Sequence, residues 1–122
     1  MATSAPRGWV PDRCDVIWID FDPQSGKEIK SEHPMLILST ASFNERTGLV
    51  VGLPMTHAQW NETNPFALKF EGPSKVPCYV LTHQPKSLDW RSRKARPHPI
   101  KSVPANVFRD ALDSLNDIIA LA

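Results

Sequence analysis

The chain has 122 residues, a length that fits one compact domain with a core that needs no disulfide or metal staple. Hydrophobic residues make up 41% and charged residues 22%, which excludes a disordered chain. A net charge of +1 excludes bulk attraction for a polyanion, and no apolar run approaches a membrane span, so a soluble, cytoplasmic protein without a membrane partner is expected.

Residues 1–11 read as a loose, flexible N-terminal arm, leaving 12–122 as the single domain. A first strand is predicted over 15–21, with Ile17, Ile19 and Phe21 on one face and Val16, Trp18 and Asp20 on the other. It runs into a polar loop carrying Pro23, Gly26, Lys27, Glu28, Lys30, Glu32 and His33. A second strand over 35–40 is apolar without alternation, the mark of burial on both sides. A helical turn over 42–47 stops at Gly48. A third strand spans 49–56, and its Pro54 predicts an edge or a bend. Residues 57–65 read as loop, followed by strands near 66–70 and 78–83 and a brief one at 86–88.

From Ser102 the pattern turns helical, with Pro104 suited to the first turn. Val107, Phe108, Ala111, Leu112, Leu115, Ile118 and Ile119 form one apolar stripe for core packing. Short strands followed by one helix predict a mainly β protein, a strongly bent sheet or partly open barrel with a C-terminal helix across it.

Charge is uneven along the chain. From Lys86 to Lys101 there are six basic side chains against one acid, Asp89; from Asp12 to Glu32 there are six acids against three bases. The basic run suits phosphate or a solvated loop. Cys14 and Cys78 are too few for a disulfide scaffold and read as free thiols of a reducing compartment. His33, His57, His83 and His98 show no metal-ligand spacing, so neither metal nor cofactor is expected. His57 and His98 read as surface residues. Trp18, Trp60 and Trp90 offer faces for unpaired bases, or fill the core. Trp90, beside Arg91 and Arg93, is the preferred partner-facing aromatic; Phe21 belongs to the core.

The stretches VPD..DVIWIDFDP..G.E....HP, LILS...FN..TG, LPMT and QPKSLDWRSR together resemble the MazF/PemK (Kid) toxins of bacterial toxin–antitoxin pairs, over roughly residues 10–119. The resemblance implies an SH3-like, partly open β-barrel with a C-terminal helix that forms a homodimer. It implies a metal-independent endoribonuclease that cuts single-stranded messenger RNA at short sequences. The products are a 2′,3′-cyclic phosphate and a 5′-hydroxyl, and a cognate antitoxin protein blocks the site.

Residue by residue, Pro23, Gly26 and Glu28 match the family's first loop. Thr56 matches a threonine used near the scissile phosphate, and Gln84, Lys86 and Ser87 match an RNA-contacting segment. Two positions depart from the pattern: His33 replaces an arginine, and His83 replaces an acidic residue. Imidazoles hold and release protons near neutrality, so His33 and His83 are expected to share acid and base work. Thr56 would bond the phosphate, and Lys86 or Lys27 would supply positive charge. Two other readings stay open. One is a non-enzymatic gyrase poison like the related CcdB proteins; the other is a catalytically weakened member that only binds RNA or antitoxin.

Overall fold

The computed structural model describes residues 4–72 and 74–121. Seven strands and two helices follow one another as β1 (Asp15–Asp20), β2 (Glu32–Ile37), α1 (Ala41–Thr47), β3 (Leu49–Thr56), β4 (Ala67–Glu71), β5 (Pro77–Leu81), β6 (Lys86–Asp89), β7 (Arg96–Ser102) and α2 (Ala105–Ile119), with a 3₁₀ turn at Gln59–Thr63 before β4. The paired strands run β4-β5-β3-β2-β1-β7, and β6 joins β3 off this path. The result is the expected half-open β barrel with a C-terminal helix.

β3 is the strand on which the barrel turns. Its first half, Leu49–Gly52, pairs with β6, while Met55 and Thr56 pair with β5. Leu53 and Pro54 separate the two registers, and proline has no N–H to give to either. The segment from Thr82 to Pro85 therefore crosses between the two partners of one strand. Gly52 is required here, because a Cβ would meet the Leu36 carbonyl oxygen at 2.3 Å.

Both faces of the sheet are buried, as the unbroken apolar run in β2 implies. Leu36 and Leu38 pack with Val16, Leu53, Val107 and Ala111 under α2, while Met35 and Ile37 pack with Ile17, Ile19, Phe21 and Trp90 inside the barrel. Burying these side chains supplies the main driving force, on the order of 1.5–3 kcal/mol for each large one. The stripe on α2 is core only in part. Val107 and Ala111 are buried, but Ile118 and Ile119 near its end are exposed.

Four expectations are corrected. β2 begins at Glu32, before Pro34, because β3 pairs with it only from Met35 onward and no ladder bond asks for the proline nitrogen. The supposed loop over 57–65 contains the 3₁₀ turn. The helix starts after Pro104, which stands at its N-cap rather than in its first turn. β7 lies where none was expected, and it is an edge strand, the place where Pro97 and Pro99 are tolerated.

The arm is also less free than expected. Trp9 and Val10 pack against the barrel interior, the Trp9 ring meets Trp90 edge-on at 5.8 Å, and Asn44 donates to the Pro11 carbonyl at 2.8 Å. Met1–Thr3 lie outside the described residues.

Candidate active site

β2 and β3 bring the first group of candidates together. Thr56 closes β3, nearly buried, and its hydroxyl accepts the Ala58 N–H at 3.2 Å. His33 stands on β2 across from Ile19 and hydrogen-bonds the Met55 backbone. Burial lowers the His33 pKa below its ordinary value; the Met55 bond opposes this, and the charge of His57 adds to the lowering. A cavity of about 420 Å³ opens beside them, lined by Pro34, Thr56, His57, Cys78 and His98 among others.

His57 and His98 are functional candidates that the sequence pattern left as surface residues. His57 Nδ1 lies 2.9 Å from the Pro77 carbonyl oxygen. A carbonyl only accepts, so Nδ1 carries the proton and Nε2 is the ring's basic atom. His98 is half-buried, its ring 4.6 Å from Trp18, and its pKa is lowered by burial, then by His57 and Arg96. Cys78 is buried 3.6 Å from His57 Nδ1, and burial pushes its thiol pKa up, toward the inert form.

The second group forms around the β5–β6 crossing. His83, Gln84, Lys27, Glu28 and Trp60 line a wider cavity of about 890 Å³. Gln84 Oε1 accepts the Ile29 N–H at 2.9 Å, which turns its amide nitrogen toward His83 Nε2, 3.5 Å away. His83 Nδ1 is buried with no hydrogen-bond partner among the described residues, and burial lowers the pKa of the ring. Lys86 reaches back to the first loop, pairing with Glu28 and bonding Gln24 at 3.2 Å; that bond holds the Glu28 carboxyl below its usual range. Lys27 is exposed, as is Ser87, which sits on β6 opposite Val51.

His33 and His83 are thus not brought into one pocket: His83 lines the second cavity, whereas His33 lines neither and only its neighbour Pro34 reaches the first. Yet the same two stretches of chain wall both. Ser25, Lys27 and Glu28 line the second cavity and Pro34 the first; Thr56 and His57 line the first and Trp60 the second.

The partner-facing surface assigned to Trp90, Arg91 and Arg93 is corrected. Trp90 is only 7% exposed, and its Nε1 donates to the Asn44 carbonyl at 2.8 Å. Arg91 lies over its ring and caps the end of α1 through the Glu45 carbonyl. Arg93 Nη1 donates to the Asp20 and Asp22 carbonyls at 3.0 and 2.7 Å. The fold itself uses these basic groups, because the barrel brings carbonyl-rich ends of β1 and α1 against them.

A model of the PemK-like, MazF-like toxins of type II toxin–antitoxin systems matches residues 12–119. The endoribonuclease toxin MazF of Escherichia coli strain K12 is 36% identical over 87 residues, 71% of this chain and 76% of that protein. The Escherichia coli endoribonuclease PemK is 27% identical over 110 residues, 88% of this chain and 81% of that one. Among solved structures, MazF from Deinococcus radiodurans superposes with a TM-score of 0.82 at 33% identity, covering 93% of this chain and 99% of the other. A MazE–MazF structure from the same organism gives 0.77 at 32% identity, covering 93% and 100%. With the barrel, the β3 threonine and the first loop all in place, the chain belongs to the PemK-like, MazF-like toxin family.

Proposed function

We propose that this chain is an endoribonuclease toxin that cuts single-stranded RNA, messenger RNA in the cell, at short specific sequences without a metal ion. RNA crosses the edge between the two cavities, and the scissile phosphate sits there, bonded by the Thr56 hydroxyl. One imidazole, His33 or His83, takes the proton of the 2′-hydroxyl. The 2′ oxygen bonds to phosphorus, the bond to the 5′ oxygen breaks, and the other imidazole protonates that leaving oxygen. The products are a 2′,3′-cyclic phosphate and a 5′-hydroxyl.

The supporting observation is that two chain segments, 25–34 and 56–60, wall both cavities. A strand of RNA lying over them would pass Thr56 at the first cavity and His83 at the second, with His33 next to Pro34 of the first. Lys27 offers charge to the phosphates directly; Lys86, tied to Glu28, does so only when the first loop yields.

A homodimer held inactive by a cognate antitoxin completes the reading. Exposed Ile118, Ile119 and Leu121 offer apolar surface for such contacts. A solved relative from Deinococcus radiodurans is a MazE–MazF structure.

The test is incubation of purified protein with a long RNA in excess chelator, followed by mapping of fragment ends. Cyclic phosphate at a recurring short sequence is expected, and a 2′-deoxynucleotide 5′ of the cut abolishes it. Intact RNA together with arrested DNA supercoiling would replace this reading with a gyrase poison.

A further inference from the structure

The 3₁₀ turn before β4 presents Trp60 to solvent at 67% exposure, the most exposed aromatic ring among the described residues. A single exposed ring is ordinary on a protein surface, so its mounting and surroundings must carry the argument. The turn beneath it is not loose. Asn61 is buried and its amide bonds the Ala58 carbonyl at 3.0 Å. Glu62 accepts the Tyr79 hydroxyl from β5 and pairs with Lys69 of β4 at 2.8 Å. Asn64 closes the turn by donating to Asn61 Oδ1 at 3.1 Å. The ring is therefore carried on a turn fixed to the sheet at several points, the rigid mounting expected of a binding group.

Trp60 lines the second cavity together with Lys27, Gln84 and two hydroxyl residues, Ser25 and Thr63. Gln84 uses its amide oxygen on Ile29 and faces the cavity wall with donors. This lining sets side-chain donors and one exposed cation, Lys27, around a single indole. It matches what an unpaired nucleotide requires: a flat π surface, donors for a base edge and a cation for phosphate.

We infer that Trp60 is a stacking platform for one unpaired base of the RNA, held next to the cleaved linkage by the second cavity. The inference rests on the endoribonuclease reading, and it assigns Trp60 to binding rather than to proton transfer. The base stacks on the indole, Gln84 donates to its edge, and Lys27 meets the neighbouring phosphate.

The test is titration of the protein with a short single-stranded RNA carrying 2′-deoxy sugars at every position of attack, read by intrinsic fluorescence and by anisotropy. Binding to the native protein quenches tryptophan emission. In Trp60→Leu the quench disappears and affinity falls roughly 5- to 100-fold, with Trp60→Phe in between. Cleavage by Trp60→Leu shows a raised KM with kcat nearly kept. Unchanged affinity and quench in Trp60→Leu overturn the inference. So does a change in oligomeric state, or loss of antitoxin inhibition while RNA affinity is kept; either makes Trp60 a protein contact. If native protein binds this RNA through Trp60 but never cuts its all-ribose counterpart, the platform stands and the nuclease reading falls.

Discussion

The two cavities differ in the side chains that line them although the same chain segments contribute to both. The first has Met55, Val76, Cys78 and Ile100 beside two imidazoles, His57 and His98; the second has Lys27, Glu28, Asn64 and Gln84 around one exposed indole. Burial lowers the His33 and His98 pKa values beside the first, so those rings stay neutral and ready to accept a proton. The second keeps its charges paired or in water, as Lys86 with Glu28 and Lys27 exposed show. A site that must hold a polyanion and also move protons gains from this division. Low polarity sharpens proton transfer, whereas sequence reading needs groups that remain wet until a base displaces the water.

The sharpest way to break the division is to remove one histidine from each side. His33→Ala and His83→Ala should each lower the RNA cleavage rate by about 10²–10⁴-fold, with the circular-dichroism spectrum unchanged. A double variant no slower than either single would show that they serve one step. Full activity in His83→Ala would confine the chemistry to the first cavity.

Gly52→Ala tests the strand both cavities share. The new Cβ would push against the Leu36 carbonyl, so β2 and β3 must part, costing on the order of 1–3 kcal/mol. The expected result is a Tm drop of several degrees with both sites impaired. An unchanged Tm would mean that β3 shifts freely.

Acidity should act more gently. His33, His83 and His98 all have folded pKa values below the ordinary 6.5. The unfolded chain therefore binds more protons just below that value, and stability rises with pH through this window. Tm should fall as pH is taken from 7.5 toward 5, and less so in His98→Phe. For the free enzyme, kcat/KM should peak on the acid side of 6.5, and the kcat profile should lie higher, because bound phosphate favours the imidazolium. A pH-independent Tm would contradict the burial of these rings.

The smallest effect belongs to the tie across the second cavity. Lys86→Met frees the first loop from β6, and its exposed ion pair with Glu28 adds little stability. Tm should hardly move while KM for RNA rises a few-fold. A large loss of kcat would place Lys86 at the reacting phosphate instead.

Much of the barrel was legible in the sequence, and the reasons are local. β1 shows as four apolar residues between Asp15 and Asp20, and β3 is legible at 49–56 because Gly48 and the polar residues after Thr56 bracket it. α1 ends where Gly48 takes φ 75°, the left-handed value that glycine tolerates. β7 was hidden because Pro97, Pro99 and three basic residues describe an edge, and edges carry no alternation to read. With β7 unseen, His98 had no strand to stand on and no Trp18 to stack against. Trp90 misled for a related reason. Its neighbours are arginines, but the backbone alternates, and the barrel buries the indole while turning those arginines to carbonyls that no local pattern announces.

The pairing of His33 with the Thr56 end of β3 follows from β2–β3 register, which sequence spacing leaves open until the hairpin is drawn. His83 could be placed at a strand end, but not its separation from the first cavity. That separation depends on β3 changing partners at Leu53 and Pro54.

The internal employment of the basic run has a consequence for how the protein would respond to its ionic surroundings. Arg91, Arg93 and Arg96 are committed to backbone oxygens and to Glu32, and Lys86 to Glu28. Of the run's six cations, Lys94 and Lys101 are left without an ion pair among the described residues to displace counterions condensed on a nucleic-acid strand, and each displaced ion would steepen the salt dependence of binding. Complexes of this protein with RNA should then dissociate only gradually as potassium rises. Shape and stacking would hold the strand where bulk charge does not.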